Sequence, residues 1–318
     1  MKKFKLLFIA DPLENFDPVA ETTLYMMREA QKRGHQVWYA QAKDLSLEDQ
    51  EVQVQASQLS LKSGKDFYRI IKRQKSPALK FNAILLRKDP PFDIPFLEHL
   101  HLLARLEGQI YLGNRPSGLM LANEKLFALE FADFVPPTLV SSQKEEILKF
   151  IQKQKQGAII KPLNQAGGRG VYYLKSAHAE NLNLILENAT QGYQRHLLVQ
   201  SYLPAAKKGD KRILLLNGEI LGSFRRIPAK GEHRANLHSG GQAKPCSLST
   251  QEKNLVESLR SPLEKRGLDF VGLDLIDEYL IEINTTSPMG LHELKELYGK
   301  NFSKNFVNFL ETKINLNL

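Results

Sequence analysis

The chain has 318 residues, 42% of them hydrophobic and 25% charged, which is enough for a sizeable core and for two or three domains or subdomains. Its net charge of +9 and pI near 9.4 come from scattered Lys and Arg without a run of stacking aromatics, which disfavours nucleic acid and leaves small anionic ligands as the better match. The one cysteine, Cys246, excludes an internal disulfide framework and a cysteine-rich metal site. It lies in a polar stretch without an acid-base partner nearby, so it reads as an incidental thiol in a reducing cytoplasm.

The N-terminus superficially resembles a signal peptide, but its apolar run is cut by Lys5 and ends at Asp11-Pro12 without a small-residue cleavage site, so a first buried strand is expected. No stretch approaches the ~20 apolar residues of a membrane span, and a soluble, cytoplasmic protein is the expectation. Strand Leu6–Ala10, helix Thr22–Lys32, the stop signal Gly34 and strand Gln36–Ala40 make a βαβ unit. A long polar insertion from Lys43 to about Lys80 shows a helical patch around Phe67–Ile71. Asn82–Leu86 and Gln109–Gly113 read as further parallel strands. Ligands of such open sheets bind at the C-terminal strand edges, which draws attention to the loops Asp11–Asn15 and Arg87–Phe92. Asp-Pro and Pro-Pro stop strands on their own, yet Arg87 and Lys88 are placed to hold a carboxylate.

A second unit begins near Asn123. Ser142 to Glu145 reads as a capping box opening a helix to about Lys155, followed by strand Ala158–Pro162, the small-residue loop Asn164–Gly170 and strand Val171–Leu174. Glycines between strands let backbone N–H groups approach phosphate oxygens. This loop matches neither the P-loop nor a dinucleotide fingerprint, because no helix follows it, and a plain hairpin loop is the alternative. Lys161, at the end of the preceding strand, favours phosphate. A third stretch opens with strand Leu197–Leu203 and the cluster Lys207–Arg212. Strand Arg212–Leu216 turns through Asn217-Gly218 into Glu219–Phe224, and Arg226 follows. Residues Pro228–Gly241 read as a long mobile loop carrying Arg234 and Asn236. Such loops are functional lids or disordered, and an arginine in a lid neutralises a transferring phosphoryl group. A helix from Ser249 to about Arg266, interrupted at Pro262, leads onward.

The segments Phe270–Asp277 and Tyr279–Pro288 are apolar and β-prone, with a polar Asp277-Glu278 break that reads as a hairpin. A loop centred on Glu278 sets Asp274 opposite Glu282, about 5 Å apart, where like charges repel and something positive belongs between them. Asn284 shares the face of Glu282 and adds a neutral oxygen. Such a hard-oxygen site suits Mg²⁺ that keeps waters and completes its shell with substrate phosphates. The competing reading is a solvated face of an edge hairpin.

A cation before a glycine loop, an apolar strand suited to hold adenine, arginines at strand ends and a carboxylate-carboxylate-amide cluster, in this order, resemble the ATP-grasp superfamily. Within it the chain resembles bacterial glutathione synthetases over nearly its whole length, in Arg87–Asp93, Asn123–Phe127, Lys161–Leu163, Gln200–Pro204, Gly209–Arg212, Arg226–Pro228, Phe270–Asp274 and Glu282–Pro288. The resemblance implies an α/β, ATP-grasp fold with an N-terminal Rossmann-like (pre-ATP-grasp) domain. Its implied divisions are residues 1–121, a small lid subdomain 122–203 and a catalytic subdomain 204–318. It also implies that ATP phosphorylates the cysteinyl carboxylate of γ-glutamylcysteine and that glycine displaces phosphate to give glutathione. Lys125, Lys161, Gly167, Gly168 and Asp210 would contact the nucleotide, and Gln200, Tyr202 and Leu203 would hold adenine. Arg212, Arg226 and Arg234 would stabilise the acyl phosphate. Arg87, Asp89, Asn236, Thr286 and Ser287 would bind substrate, and Asp274, Glu282 and Asn284 would hold Mg²⁺, with Mn²⁺ as a substitute. Positioning and charge neutralisation carry such a phosphoryl transfer, so the lack of a Ser-His-Asp or Cys-His constellation is consistent. A homotetramer is also implied, with neither a nucleic-acid nor a membrane partner.

The chain departs from the family pattern at three places. Ala20 precedes Glu21-Thr22-Thr23 where a lysine is common, Asn164-Gln165 stands where the loop usually begins Asp-Gly, and Met289–His292 replaces a run ending in Arg. Losing two basic positions would weaken binding of a peptide carboxylate. A related carboxylate-amine ligase with another donor or acceptor therefore stays open, as does a nucleotide-binding regulator without turnover, against which Arg212, Arg226, Glu282 and Asn284 argue. A nucleic-acid binder explained by the charge is more distant.

Overall fold

The structure, a computed structural model, describes residues 2–229 and 241–316. It is built on three sheets. The first joins β1 (Lys5–Ala10), β2 (Gln36–Ala40), β3 (Leu45–Glu48), β4 (Glu51–Leu61), β5 (Tyr68–Pro77), β6 (Ala83–Arg87) and β7 (Tyr111–Gly113) in the order β3-β4-β2-β1-β6-β7, with β5 on β4. The strands β2, β1, β6 and β7 are parallel neighbours, as their near-continuous apolar runs require of strands buried on both faces. Helix α1 (Thr22–Lys32) crosses between β1 and β2; the Glu21 side chain accepts from Thr23 N, and Gly34, at φ +86°, turns the chain back. Asp93 caps α2 (Ile94–Ala104), and α3 (Pro116–Leu121) closes this part.

The insertion is not helical. β4 and β5 form a long antiparallel hairpin from Leu61↔Tyr68 to Gln53↔Pro77. β4 alternates, burying Val52, Val54 and Ala56. β5 lies outermost and is exposed from Arg69 to Lys75, so no buried face imprints a period of two, and Ile70 and Ile71 mimic a helix stripe.

The second sheet contains β8 (Thr138–Ser141), β9 (Ala158–Pro162), β10 (Tyr172–Leu174) and β11 (Leu197–Ser201) in the order β10-β9-β11-β8, covered by α4 (Lys144–Lys153) and α5 (Leu182–Thr190). The capping box expected at Ser142 does not form. Gln143 is the cap, and the hydroxyl of Ser141, one residue earlier, accepts from Gln143 N and donates to Glu146.

The third sheet contains β12 (Asp210–Leu216), β13 (Glu219–Ile227), β14 (Gln242–Pro245), β15 (Phe270–Ile276) and β16 (Tyr279–Asn284), ordered β14-β13-β12-β15-β16. Asn217 and Gly218 both take positive φ and form the expected tight turn. β13 continues through Arg226, which lies within the strand rather than beyond it. Helix α6 (Thr250–Arg266) runs unbroken through Pro262. The proline removes one helix hydrogen bond, but the Ser249–Glu252 capping box and buried Leu255, Leu259 and Leu263 on both sides outweigh that loss. Lys211 places its ammonium 2.6 Å from both oxygens of buried Glu252, tying α6 to β12. Helices α7 (Leu291–Tyr298) and α8 (Ser303–Asn315) return to pack on α1, where Arg33 and His35 reach Glu311 at 3.0 and 2.8 Å.

Candidate active site

The third sheet lines up charge across its strands. Arg212 on β12 stands opposite Asp274 on β15, and Asp274 opposite Glu282 on β16. Arg212 Nε and Nη2 donate to the two Asp274 oxygens at 2.5 and 2.9 Å, and Arg226 Nη2 lies 2.9 Å from Asp274 Oδ2. Arg226 also grips Asp210 at 2.6 and 2.9 Å. Lys125 Nζ donates to Glu282 Oε1 at 3.1 Å and to the Gln165 carbonyl at 2.6 Å. The positive charge that two facing carboxylates require is thus supplied by three cations of this chain.

Alternation along β12 explains the arrangement. Asp210 and Arg212 point one way while Lys211 points to α6. Gly272 on β15 leaves the space that Arg212 fills, since a Cβ there would meet Arg212 Cδ at 3.3 Å. The pairing Asp274↔Glu282 has a different origin from the symmetric loop expected. The turn is the two-residue Asp277-Glu278, closed by Ile276↔Tyr279, and a bulge beyond Leu275↔Leu280 inserts Ile281 and shifts the register by one.

Two cavities meet at this row. The first, about 690 Å³, is lined by Lys125, Lys161, Gly167, Gly168, Gln200, Tyr202, Leu203, Asp210, Arg226, Asp274 and Glu282. It therefore gathers every residue expected at the nucleotide. Ile159, Val171, Ile276 and Ile281, which the sequence reading missed, add apolar walls. Their only signal was alternation with Ile160, Lys161 or Glu282 on strands of unknown pairing. Tyr173 and Tyr202 have ring centroids 4.4 Å apart beside it. Gly167, Gly168 and Gly170 all have positive φ, a backbone that other residues rarely adopt. Lys161 Nζ donates to Gln200 Oε1 at 3.0 Å. Burial lowers its pKa to about 8, with Glu282 pulling the other way.

The second cavity, about 550 Å³, shares Gly167, Gly168, Arg226, Asp274 and Glu282 with the first and adds Asp89, Arg212, Asn284, Thr286 and Ser287. Ala20 and Met289, two of the departures from the family pattern, also line it, whereas His292 turns to the Tyr25 hydroxyl at 2.9 Å. Arg87 takes a place other than the one expected. It is buried away from both cavities, donating to Thr23 Oγ1 at 3.2 Å and the Pro288 carbonyl at 2.9 Å beneath the Phe270 ring. Arg234, Asn236 and most of the expected lid lie outside the described residues.

Electrostatics separates the acids. Burial raises the Asp274 pKa, but Arg212 and Arg226 outweigh it and hold the carboxyl well below the usual range. Burial raises Asp210 and Asp89, the latter helped by Asp11 and Glu21. Among the described residues no donor reaches Glu282 Oε2 or Asn284 Oδ1, while Asn284 Nδ2 donates to Asp274 Oδ2 at 3.2 Å. Glu282 Oε2 and Asn284 Oδ1 are thus oxygens left open beside the Asp274 carboxylate, whose own two oxygens are taken by Arg212 and Arg226, and this set of hard oxygens fits a divalent cation.

The fold and its paired cavities define an ATP-grasp protein. The chain superposes on D-cycloserine synthetase DcsG with a TM-score of 0.69 at 14% identity, covering 97% of this chain and 99% of that one. It also superposes on a RimK domain ATP-grasp protein from Sphaerobacter thermophilus with a TM-score of 0.62 at 16% identity, covering 96% and 98%. Residues 4–120 match the family model of the prokaryotic glutathione synthetase N-terminal domain, and residues 124–299 that of its ATP-grasp domain. The glutathione synthetase of Nitrosomonas europaea is 38% identical over 316 residues, covering 98% of both chains, and that of Thermosynechococcus vestitus is 35% identical over 316, covering 96% and 99%. The chain belongs to the prokaryotic glutathione synthetase family, a family of ADP-forming ATP-grasp ligases.

Proposed function

We propose that this chain ligates γ-glutamylcysteine to glycine, forming glutathione, ADP and phosphate. The observation that carries the reading is the charge row Arg212-Asp274-Glu282-Lys125 on the wall between two cavities. A nucleotide in one cavity and a carboxylate in the other would meet there. Lys125 and Lys161 hold the phosphates with the backbone of Gly167 and Gly168, while Gln200, Tyr202 and Leu203 receive the base. The donor carboxylate oxygen attacks the terminal phosphorus, and the bond from that phosphorus to the bridging oxygen of ADP breaks. The glycine nitrogen then attacks the acyl carbon, and phosphate leaves with the former carboxylate oxygen. Arg212 and Arg226 neutralise the charge gathered in both steps, and Arg234 joins them from the lid. No side chain forms a covalent bond, because positioning and fixed charge supply the acceleration.

Asp274, Glu282 and Asn284 hold Mg²⁺, with Mn²⁺ as a substitute, and the ion supplies charge neutralisation of the ATP phosphates. Asp89, Thr286 and Ser287 contact the donor, together with Asn236, and Arg87 supports them by holding the Pro288 carbonyl. The assignment includes a cytoplasmic homotetramer with subdomains 1–121, 122–203 and 204–318.

The test is ADP and phosphate release with ATP, Mg²⁺, γ-glutamylcysteine and glycine, each omitted in turn. Release that needs all four, with glutathione as product, is the expected result; ATP binding without release would overturn the substrate assignment. A related ligase with another donor is the second reading, favoured by Ala20 and Met289 in the wall of the second cavity. Release with a different carboxylate-amine pair in the same assay would select it.

A further inference from the structure

Glu124 and Lys125 are neighbours on one turn but serve opposite sides of the shared wall. Asn123 Oδ1 accepts from Lys125 N and Leu126 N at 3.1 Å, and Asn123 Nδ2 donates to the Leu163 carbonyl at 3.0 Å, which fixes the turn. Lys125 then enters the nucleotide cavity, and Glu124 the second one. Glu124 is only 9% exposed. Its Oε1 accepts from Thr285 N at 2.9 Å, Thr286 N at 3.1 Å and Thr286 Oγ1 at 2.9 Å. Among the described residues no donor reaches Oε2. The Glu124 carbonyl accepts from Ile283 N at 2.9 Å, which holds this turn beside β16, and Glu124 and Glu282 line the same cavity. Its charge is costly to bury without a cationic partner, and Lys125, the nearest basic residue in sequence, faces Glu282 instead.

We propose that Glu124 anchors the ammonium group of the acceptor amine through Oε2. The inference rests on the ligase reading above. ATP and the donor both bring negative charge to the reacting centre, and the acceptor, a zwitterion, is the organic reactant whose reacting atom arrives there as an ammonium nitrogen. Of the three ammonium protons, one goes to solvent before attack and frees the nitrogen lone pair, one leaves on the phosphate and one stays on the amide. Glu124 is a positioning group for the nitrogen that forms the new C–N bond as the C–O bond to phosphate breaks.

The experiment compares wild type with Glu124→Gln, using glycine and hydroxylamine as alternative nucleophiles at saturating ATP, Mg²⁺ and γ-glutamylcysteine. Hydroxylamine is uncharged at neutral pH and traps the acyl phosphate as a hydroxamate, so it needs no carboxylate anchor. The expected result is a fall of roughly tenfold or more in the ratio of glycine to hydroxylamine turnover, about 1.4 kcal/mol, expressed in the KM for glycine. An equal loss with both nucleophiles would assign Glu124 to loop support or to a metal and overturn the proposal, as would an unchanged ratio. If wild type forms no hydroxamate, the donor assignment falls instead. Calorimetric titration of glycine into both proteins then decides the Glu124 question, binding by wild type alone supporting it and any other pattern overturning it.

Discussion

Asp274 is held between two guanidiniums in a buried setting, so its removal leaves Arg212 and Arg226 without their shared partner. Breaking such a site costs about 3–5 kcal/mol, and Asp274→Ala is expected to lower the urea midpoint accordingly and abolish ADP release. Glu282 is half-buried with one oxygen open. Glu282→Ala should therefore lose Mg²⁺-dependent turnover with a near-native melting temperature, and wild-type turnover would remove it from the metal site. The depressed carboxyl of Asp274 contributes stability that is complete above the ordinary carboxylate pKa and is lost as pH falls through its folded value. Lys161 has the opposite charge logic. Its ammonium, with pKa about 8, is present below that pH and absent above it, so kcat/KM for ATP, which reports the free enzyme, should decline above pH 8. Bound phosphate restores the proton, so kcat should keep its plateau to higher pH.

At the scale of elements, strand ends set the site. Gly209 precedes β12 with φ +93°, and a Cβ there would lie 1.9 Å from the Arg226 carbonyl oxygen. Gly209→Ala must push β12 from β13 and disturb the Asp210–Arg226 pair, so it should cost more than the ~1 kcal/mol of an ordinary glycine effect. Thermal unfolding and ATP titration measure both consequences. The short turn at Asn217-Gly218 was readable because I′ geometry has a sharp residue signature. The bulge at Ile281 was not, because its cause is pairing with another strand. The same limit explains β5, whose exposed residues carry no packing imprint, and α6, where buried leucines override the local meaning of Pro262.

Across the whole molecule, the chain's two ends are joined. Helix α8 packs on α1, and Glu311 receives both Arg33 and His35; Gly118 of α3 approaches the Arg266 carbonyl at the end of α6. Glu311→Ala removes two polar partners and is expected to destabilise by about 1–3 kcal/mol with the KM for ATP unchanged, since Glu311 lines neither cavity.

The sequence by itself determined the parallel βαβ start, the glycine loop after Lys161, the acid-bearing hairpin of β15 and β16 and, through long ordered motifs, the family. These are local signals of period, turn chemistry and short spacing, while the bulge that sets Asp274 opposite Glu282 came from strand pairing. Only the tertiary structure decided that Arg212 and Arg226 close on Asp274, that Lys125 reaches Glu282, that Arg87 is buried beneath the Pro288 loop, and that Glu124 turns to the second cavity. Each of those contacts joins residues distant in the chain, and their partners are fixed by sheet order and side-chain direction, which no local pattern encodes.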